Sequence, residues 1–368
     1  MQNYNLRNIS FYLANLHWLR NVCTMIERPS RRLRQADIAA HAGVSVSTVS
    51  RVLANEPGIS EDVRVQIFKV ASELGYPLKA GTAAGSRALA LIASNGVTGG
   101  LSAFYQGIVD GLRSEAAAQG MSFDIRLINE MKATPQVVGE HLESVGAQGL
   151  FLVGIDPSEA LGDWLVESRL PVVLVNGVDP QLRFDGISPP NFFGACAATR
   201  MLLDAGHRRI LHLTGSHRHT IRERVRGFEA AIACAEGCAA RIVRLPFETN
   251  SSAEAHAATL DALAEDGNFT AAFCMNDFIA VGVLEAVTEL GRRVPDDFAI
   301  IGFDDLPCAE MANPRLTTMH VDRAALGREA VGMMQFRFAH PDVPARHVSH
   351  AVTPVPGGTI ARRTTHDL

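Results

Sequence analysis

The chain has 368 residues, is 47% hydrophobic and 20% charged, and carries a formal net charge of −5. That length fits two or three domains, and the composition is ordinary for a globular protein. The charge excludes a uniformly basic nucleic-acid binder, and the lack of any run of eighteen apolar residues argues against a membrane span. Six cysteines at 23, 196, 234, 238, 274 and 308 form no CxxC pair. They read as free thiols in a reducing compartment, so a cytoplasmic protein is expected.

Residues 1–32 mix Asn, Tyr, Leu, Phe and Arg without a clean period, and Asn15, His17 and Arg20 interrupt any signal-peptide core. They are expected to be an extension, either a disordered arm or sequence upstream of a start near Met25. From Arg28 to Arg87 there are nine Lys/Arg against five Asp/Glu, a local basic excess in an acidic chain. That is the electrostatic footprint of a nucleic-acid-binding module. Within it, 37–53 reads DIAAHAGVSVSTVSRVL. Gly43 ends one helix, because glycine adopts positive φ without steric cost, and Ser45 caps a second. The second helix carries Val49, Val52 and Leu53 on one side and Val46, Ser47, Ser50 and Arg51 on the other. Ser60 caps a third, with the apolar stripe Val63, Ile67, Val70 and Leu74, ended by Gly75. Three short helices over 33–76 describe a helix-turn-helix headpiece whose second helix can enter the major groove.

Residues 77–87 are small, with two glycines and one proline, and read as a linker. Beyond it, apolar runs alternate with amphipathic helices. Strands are expected at Ala88–Ala93, Ser122–Ile128, Gly149–Ile155, Pro171–Val175, Arg209–Thr214, Arg241–Leu245, Ala271–Met275 and Phe298–Phe303. Helices between them are expected near Phe104–Gln119, Pro135–Ser144, Glu159–Ser168, Phe193–Ala205, Ile221–Glu236, Ala253–Ala264 and Phe278–Leu290. Two successive βα arrays imply two doubly wound, mostly parallel lobes with a ligand cleft at the strands' carboxyl ends.

The segments Gly43-Val44-Ser45, Ser47-Thr48-Val49-Ser50-Arg51-Val52-Leu53 and Leu74-Gly75-Tyr76 closely resemble the headpiece of the lactose/galactose-repressor (LacI) family, and the resemblance runs on to the C-terminus. It implies an all-α headpiece followed by an α/β periplasmic-binding-protein-like core over 88–368. Lobe one would span about 88–185 and 322–338. Lobe two would span about 186–320 and 339–368, with last strands near Val348–Val355 and Thr359–Arg362. The implied DNA-binding residues are Ser45, Val46, Ser47, Thr48, Ser50, Arg51, Ser60 and Tyr76, with Val46, Ser47 and Arg51 at base edges. The family's hinge helix, which wedges a leucine into the minor groove, has no evident counterpart, since Ala83-Ala84-Gly85 stand there.

Arg224-Val225-Arg226-Gly227-Phe228 resembles the family's Arg-x-x-Gly-Phe signature, which places Arg224 in the cleft. Asn276 and Asp277 follow a strand, where Asp277 reads either as a helix cap or as a ligand-binding carboxylate. Phe247 matches the family's aromatic platform, and core packing fits it nearly as well. Phe104, Tyr105 and the loop Ser94–Gly100 would close the other wall, with Asn176 as a further polar contact. The basic surroundings of His217, Arg218 and Arg222 tilt the expected effector from a plain sugar toward a sugar acid. His207, His212, His217 and His219 lie close in sequence, but the neighbouring arginines make a poor cation site. Asp304-Asp305 reads as structural. No catalytic, metal or cofactor motif is found. The expected protein is a repressor that binds double-stranded operator DNA and a small effector, as a homodimer or tetramer. A sugar-binding metabolic protein with an inert headpiece is the alternative.

Overall fold

The first two helices are set by the glycine and the serine that separate them. Helix α1 (Gln35–Ala42) ends at Gly43, whose φ of 64° lets its N–H and that of Val44 return to the carbonyls of the last turn. Ser45 Oγ then accepts from Thr48 N at 3.0 Å and opens α2 (Val46–Leu53). In this computed structural model the described residues are 34–53, 58–60, 63–64, 66–67, 70–71, 85–94, 102–215, 218–246 and 251–361. The chain divides into two units, Met1–Thr82 and Ala83–Leu368. In the first, Ile38, Ala39, Ala42, Val49, Val52, Ile67 and Ala71 form a small closed core. Gln66, on the third helix, donates to Ala42 O at 3.1 Å. The extension 1–32, Tyr76 and most of the linker lie outside the described residues.

The second unit holds two parallel sheets. The first combines β1 (Arg87–Ala93), β2 (Ser122–Ile128), β3 (Gly149–Val153), β4 (Val172–Val175), β5 (Asp185–Ser188) and β11 (His347–Ser349), in the order β11-β5-β4-β3-β1-β2. Its helices are α3 (Ser102–Ala118), α4 (Pro135–Val145), α5 (Glu159–Ser168) and α11 (Arg323–Ala339). The second sheet has the order β7-β6-β8-β9, from β6 (Arg209–Thr214), β7 (Ala239–Arg244), β8 (Ala271–Cys274) and β9 (Ala299–Ile301). It carries α6 (Asn191–Asp204), α7 (His219–Ala233), α8 (Ser252–Glu265), α9 (Asp277–Glu289) and α10 (Pro307–Met311). A short antiparallel pair, β10 (Thr318–His320) with β12 (Thr353–Val355), is bridged to the end of β9 at Asp304. Strands β1 and β3 are almost entirely buried, as expected for parallel strands covered on both faces.

Helices pack at glycines where backbones approach closely. A Cβ on Gly111 of α3 would stand 2.1 Å from Ala324 O of α11, and one on Gly327 would stand 2.2 Å from Ile108 O. Only glycine permits that crossing, and it seats α11 in the first lobe. The chain passes between lobes three times, at 188–191, 320–323 and 349–353.

Two expectations are corrected. The stretch 348–355 is not one strand of the second lobe. Residues 347–349 pair in parallel with β5 in the first sheet, because the Arg337–Asp185 ion pair (2.8 Å) and the Arg346 N–Asp185 bond (2.7 Å) draw the chain back there after α11. Only 353–355 belongs beside β10. Residues 359–361 form no strand, because Thr359 spends its hydroxyl on Ile300 O and Thr317 N instead of a ladder.

His212, on β6, is enclosed between Phe228 and Phe273, with ring centroids 4.9 and 4.7 Å away. Its Nδ1 lies 3.0 Å from Phe273 O, which makes Nδ1 the protonated nitrogen, and burial pushes its pKa down to about 4. The folded state thus binds fewer protons than the unfolded state below the ordinary histidine range. Stability is full above about pH 6.5 and falls as pH drops from there toward 4, by roughly 2 kcal/mol at pH 5. Melting curves of the parent and His212→Leu should show a shallower decline for the variant over that window; parallel curves would mean His212 titrates alike in both states.

Candidate functional site

In the headpiece the side of α2 opposite Val49 and Val52 is open. Val46 is 48% exposed, and Ser45, Ser47, Ser50 and Arg51 are exposed beside it. An exposed valine among short polar side chains and one arginine offers hydrogen-bonding and methyl-contacting groups to a DNA groove. Ser45 Oγ also meets the hydroxyls of Ser47 at 2.8 Å and Thr48 at 2.7 Å, so this small network fixes the start of the helix. Arg64 N bonds Ser60 O at 3.1 Å, the first turn of the third helix.

In the core, the carboxyl ends of the two sheets meet. Arg218, at the N-cap of α7, reaches across from the second lobe. Its guanidinium donates to Tyr105 Oη at 2.7 Å and to the carbonyl of Asn176, both in the first lobe. Beside it, His219 N donates to Asp156 Oδ2 at 2.7 Å, and the other carboxylate oxygen accepts from Val178 N at 2.9 Å. Tyr105 is packed edge-on against Phe104 and covers Gly154, where a Cβ would lie 2.4 Å from Tyr105 Oη. Burial raises the Tyr105 pKa, opposed by the charge of Arg218. Phe104 is 3% exposed and belongs to the core beneath this wall.

Arg224 lies deeper. Nε donates to Asn191 Oδ1 at 2.8 Å, Nη1 to Met275 O, and Nη2 to Asp304 Oδ1 at 2.9 Å. The guanidinium carbon sits 3.8 Å from the Phe303 ring centroid. Asn276 is the N-cap of α9, its Oδ1 accepting from Ile279 N at 2.9 Å. Asp277 is the next residue and is fully buried. Its oxygens accept from Leu306 N at 2.7 Å and Thr318 Oγ1 at 2.5 Å, and burial pushes its pKa well up. Both oxygens thus serve the protein's own backbone and hydroxyl.

Tyr105 and Asn176 meet at Arg218, while Arg224, Asn276 and Asp277 lie at the strand ends of the second sheet, where Asp277 ties α9, α10 and β10 together. Phe247 and His217 lie outside the described residues. His207 instead bonds Thr270 at 3.0 Å. Among the described residues no group of three or more His, Cys, Asp and Glu is placed to hold a metal ion. Sequence reasoning counted Arg218 only among the basic surroundings of the effector, and passed over Asp156, Glu130 and the pairing role of Asp304. Their signal was positional: each follows a strand or opens a helix at the end where doubly wound sheets bind ligands.

Comparison with known proteins agrees with this geometry. Residues 36–77 match the model for bacterial regulatory proteins of the lacI family, and 199–360 match a periplasmic binding protein-like domain. A transcriptional repressor, PurR of Haemophilus influenzae (strain PittEE), is 30% identical over 333 residues, which cover 86% of this chain and 95% of that protein. Two solved structures share the fold. The lac repressor dimer bound to operator and the anti-inducer ONPF has TM-score 0.66 and 22% identity, covering 90% of this chain and 100% of that one. The transcriptional regulator CelR in complex with cellobiose has TM-score 0.66 and 24% identity, covering 89% and 100%. A helix-turn-helix with an open recognition face, two parallel sheets meeting at their carboxyl ends and a repressor relative matched over nearly its whole length lead to one conclusion: this chain belongs to the LacI family of DNA-binding transcriptional regulators.

Proposed function

We propose that the chain is a cytoplasmic, operator-binding repressor that works as a homodimer and is controlled by a small polyhydroxylated effector held between the two core lobes. The observation that carries the effector site is Arg218 spanning the cleft to Tyr105 and Asn176. A guanidinium that joins two lobes through polar strand-end groups gives a ligand hydroxyls to replace and a closure angle to change. Cellobiose in the similar CelR structure supports a sugar-like ligand. The dimer in the similar lac repressor structure supports pairing. So does a groove on α9 and α10 lined by Val281, Leu284 and Met311, the last 83% exposed. One headpiece reads few base pairs, and two-fold pairing matches a palindromic operator. Among the described residues no helix is long and apolar enough to cross a membrane.

On the DNA side Arg51 is the base-reading arginine, with Val46 and Ser47 beside it, while Ser45, Thr48, Ser50, Ser60 and Tyr76 hold or adjoin phosphates. Arg51→Ala should weaken binding to a selected operator by about 1–3 kcal/mol and relax one position. Fluorescence anisotropy with operator and random duplexes separates the roles, since equal losses on both would reduce Arg51 to a phosphate contact. No specific complex with any selected duplex would leave a metabolic binding protein with an inert headpiece.

The effector is found by a thermal-shift screen of sugars, because a ligand that binds only the folded state raises the melting point. Arg218→Ala should lose that shift while keeping operator binding; an undiminished shift would place the ligand elsewhere. Arg224 and Asp277 should read out differently. Arg224→Ala leaves Asp304 as an uncompensated buried carboxylate, at a cost of about 3–5 kcal/mol. Asp277→Ala strands the Leu306 N–H and the Thr318 hydroxyl, at about 1–3 kcal/mol. Both should lower the melting temperature of the ligand-free protein; an unchanged melting point for either would remove its structural role.

A further inference from the structure

Around the facing strand ends, carboxylates and arginines are interleaved. Glu130 follows β2, Asp156 follows β3, Asp304 and Asp305 follow β9, and Asp277 opens α9; Arg218, Arg222 and Arg224 lie at or in α7, Arg244 ends β7, and Arg323 opens α11. Most of these groups are matched. Arg224 holds Asp304, and Arg323 donates to the carbonyls of Asp304 and Asp305. Asp305 faces His320 at 2.8 Å. Asp156 and Asp277 each accept two hydrogen bonds from within the protein. Glu130 differs. It is half-buried beside Arg218 and Asp156, and no hydrogen bond or ion pair forms at its carboxylate. Burial pushes its pKa up, against the pull of Arg218.

A second observation comes from the neighbouring strand end. Asn176 is 5% exposed and follows β4 with φ of 53°, its carbonyl taken by Arg218. Its side-chain Oδ1 is buried with no donor. On the second lobe, the Thr214 hydroxyl at the end of β6, which can donate or accept, is also buried without a hydrogen bond. A buried acceptor without a donor is costly, and a ligand that brings the donor removes that cost. At Glu130 and Asn176 the unmet groups are thus acceptors, one of them a carboxylate. An anionic ligand beside Glu130 would bring its charge against two carboxylates, Glu130 and Asp156, where the Arg218 guanidinium already serves Tyr105 and Asn176.

We propose that Glu130 is the charge-selecting residue of the cleft, and that the effector it admits is an amine-bearing polyol, such as an amino sugar, in preference to a sugar acid or sugar phosphate. The assignment rests on the effector cleft proposed above. The protonated amine donates to Glu130, and neighbouring hydroxyls donate to Asn176 Oδ1. A sugar acid, toward which the basic residues 218 and 222 had pointed, places its carboxylate against Glu130 and Asp156.

The test uses the full chain and matched series for several hexoses and pentoses: the neutral sugar, its amino-deoxy derivative, its uronic acid and its phosphate. Each is titrated at neutral pH by thermal shift and calorimetry. Within the series that binds, the amino derivative should bind about ten- to hundred-fold tighter than the neutral sugar. Glu130→Gln, checked for folding by its ligand-free melting point, should bring the amine-to-hydroxyl affinity ratio close to one. An acid or phosphate member binding as tightly as the neutral sugar would overturn the assignment, and so would an amine preference that survives in Glu130→Gln. If no member of any series shifts the melting point, the cleft reading itself fails, and this assignment with it.

Discussion

The second lobe is organised by a buried guanidinium. Arg224 comes from α7 but binds the first residue of α6, the chain just after β8 and the turn after β9, and it lies flat on Phe303. Taking an arginine out of water is tolerable only when its donors and its charge are met, and here Asn191, Met275 O and Asp304 meet them. Because those partners come from three separate stretches, the requirement fixes the strand ends relative to one another. The positive φ of Asp304 and Asp305 follows from this, since the chain must turn sharply after β9 to offer one carboxylate to Arg224 and the other to His320. The cleft floor is therefore stiff, and adaptability is left to the contacts made by Arg218 across the lobes.

Those contacts differ in kind from the ones beneath them. Arg218 and His219 join the lobes through one hydroxyl, one carbonyl and one carboxylate. At one of the three chain crossings Arg323 clasps the carbonyls of Asp304 and Asp305. Lobes joined by chain crossings and by a few polar contacts can change their angle with little change inside either lobe.

Much of this was legible in the sequence, where local chemistry and tertiary demand agree. Strands β2 and β6 and helix α5 fall where alternation and capping put them, and Gly43 and Ser45 announce the helix-turn-helix. The misses are short elements that exist only because of a distant partner. Strand β5 reads Asp-Gly-Ile-Ser, poor strand material, and is held by β4 on one side and β11 on the other. Strands β10 and β11 have three residues each, too few for any period to show. Asp277 had two plausible roles from sequence, and the deciding partners, Leu306 and Thr318, are 29 and 41 residues away. Arg218 was hidden by the charge run that follows it, since spacing alone cannot say which arginine of a basic helix start turns inward.

The first lobe is assembled from two separated pieces of chain. Its central strands are complete by Ser188, but the α11 that packs on α3 and the β11 that closes its edge are encoded after residue 322. Between them lies the whole four-stranded sheet of the second lobe, an almost uninterrupted stretch of local contacts. During synthesis the four-stranded sheet of the second lobe can therefore form while the first still shows its α3 face and an unpaired β5 edge, and contacts of long sequence separation form late. The unit that carries the DNA-binding headpiece at its amino end is thus finished only when the carboxyl-terminal segment arrives, so a chain cut short before α11 would carry a headpiece with no completed lobe behind it.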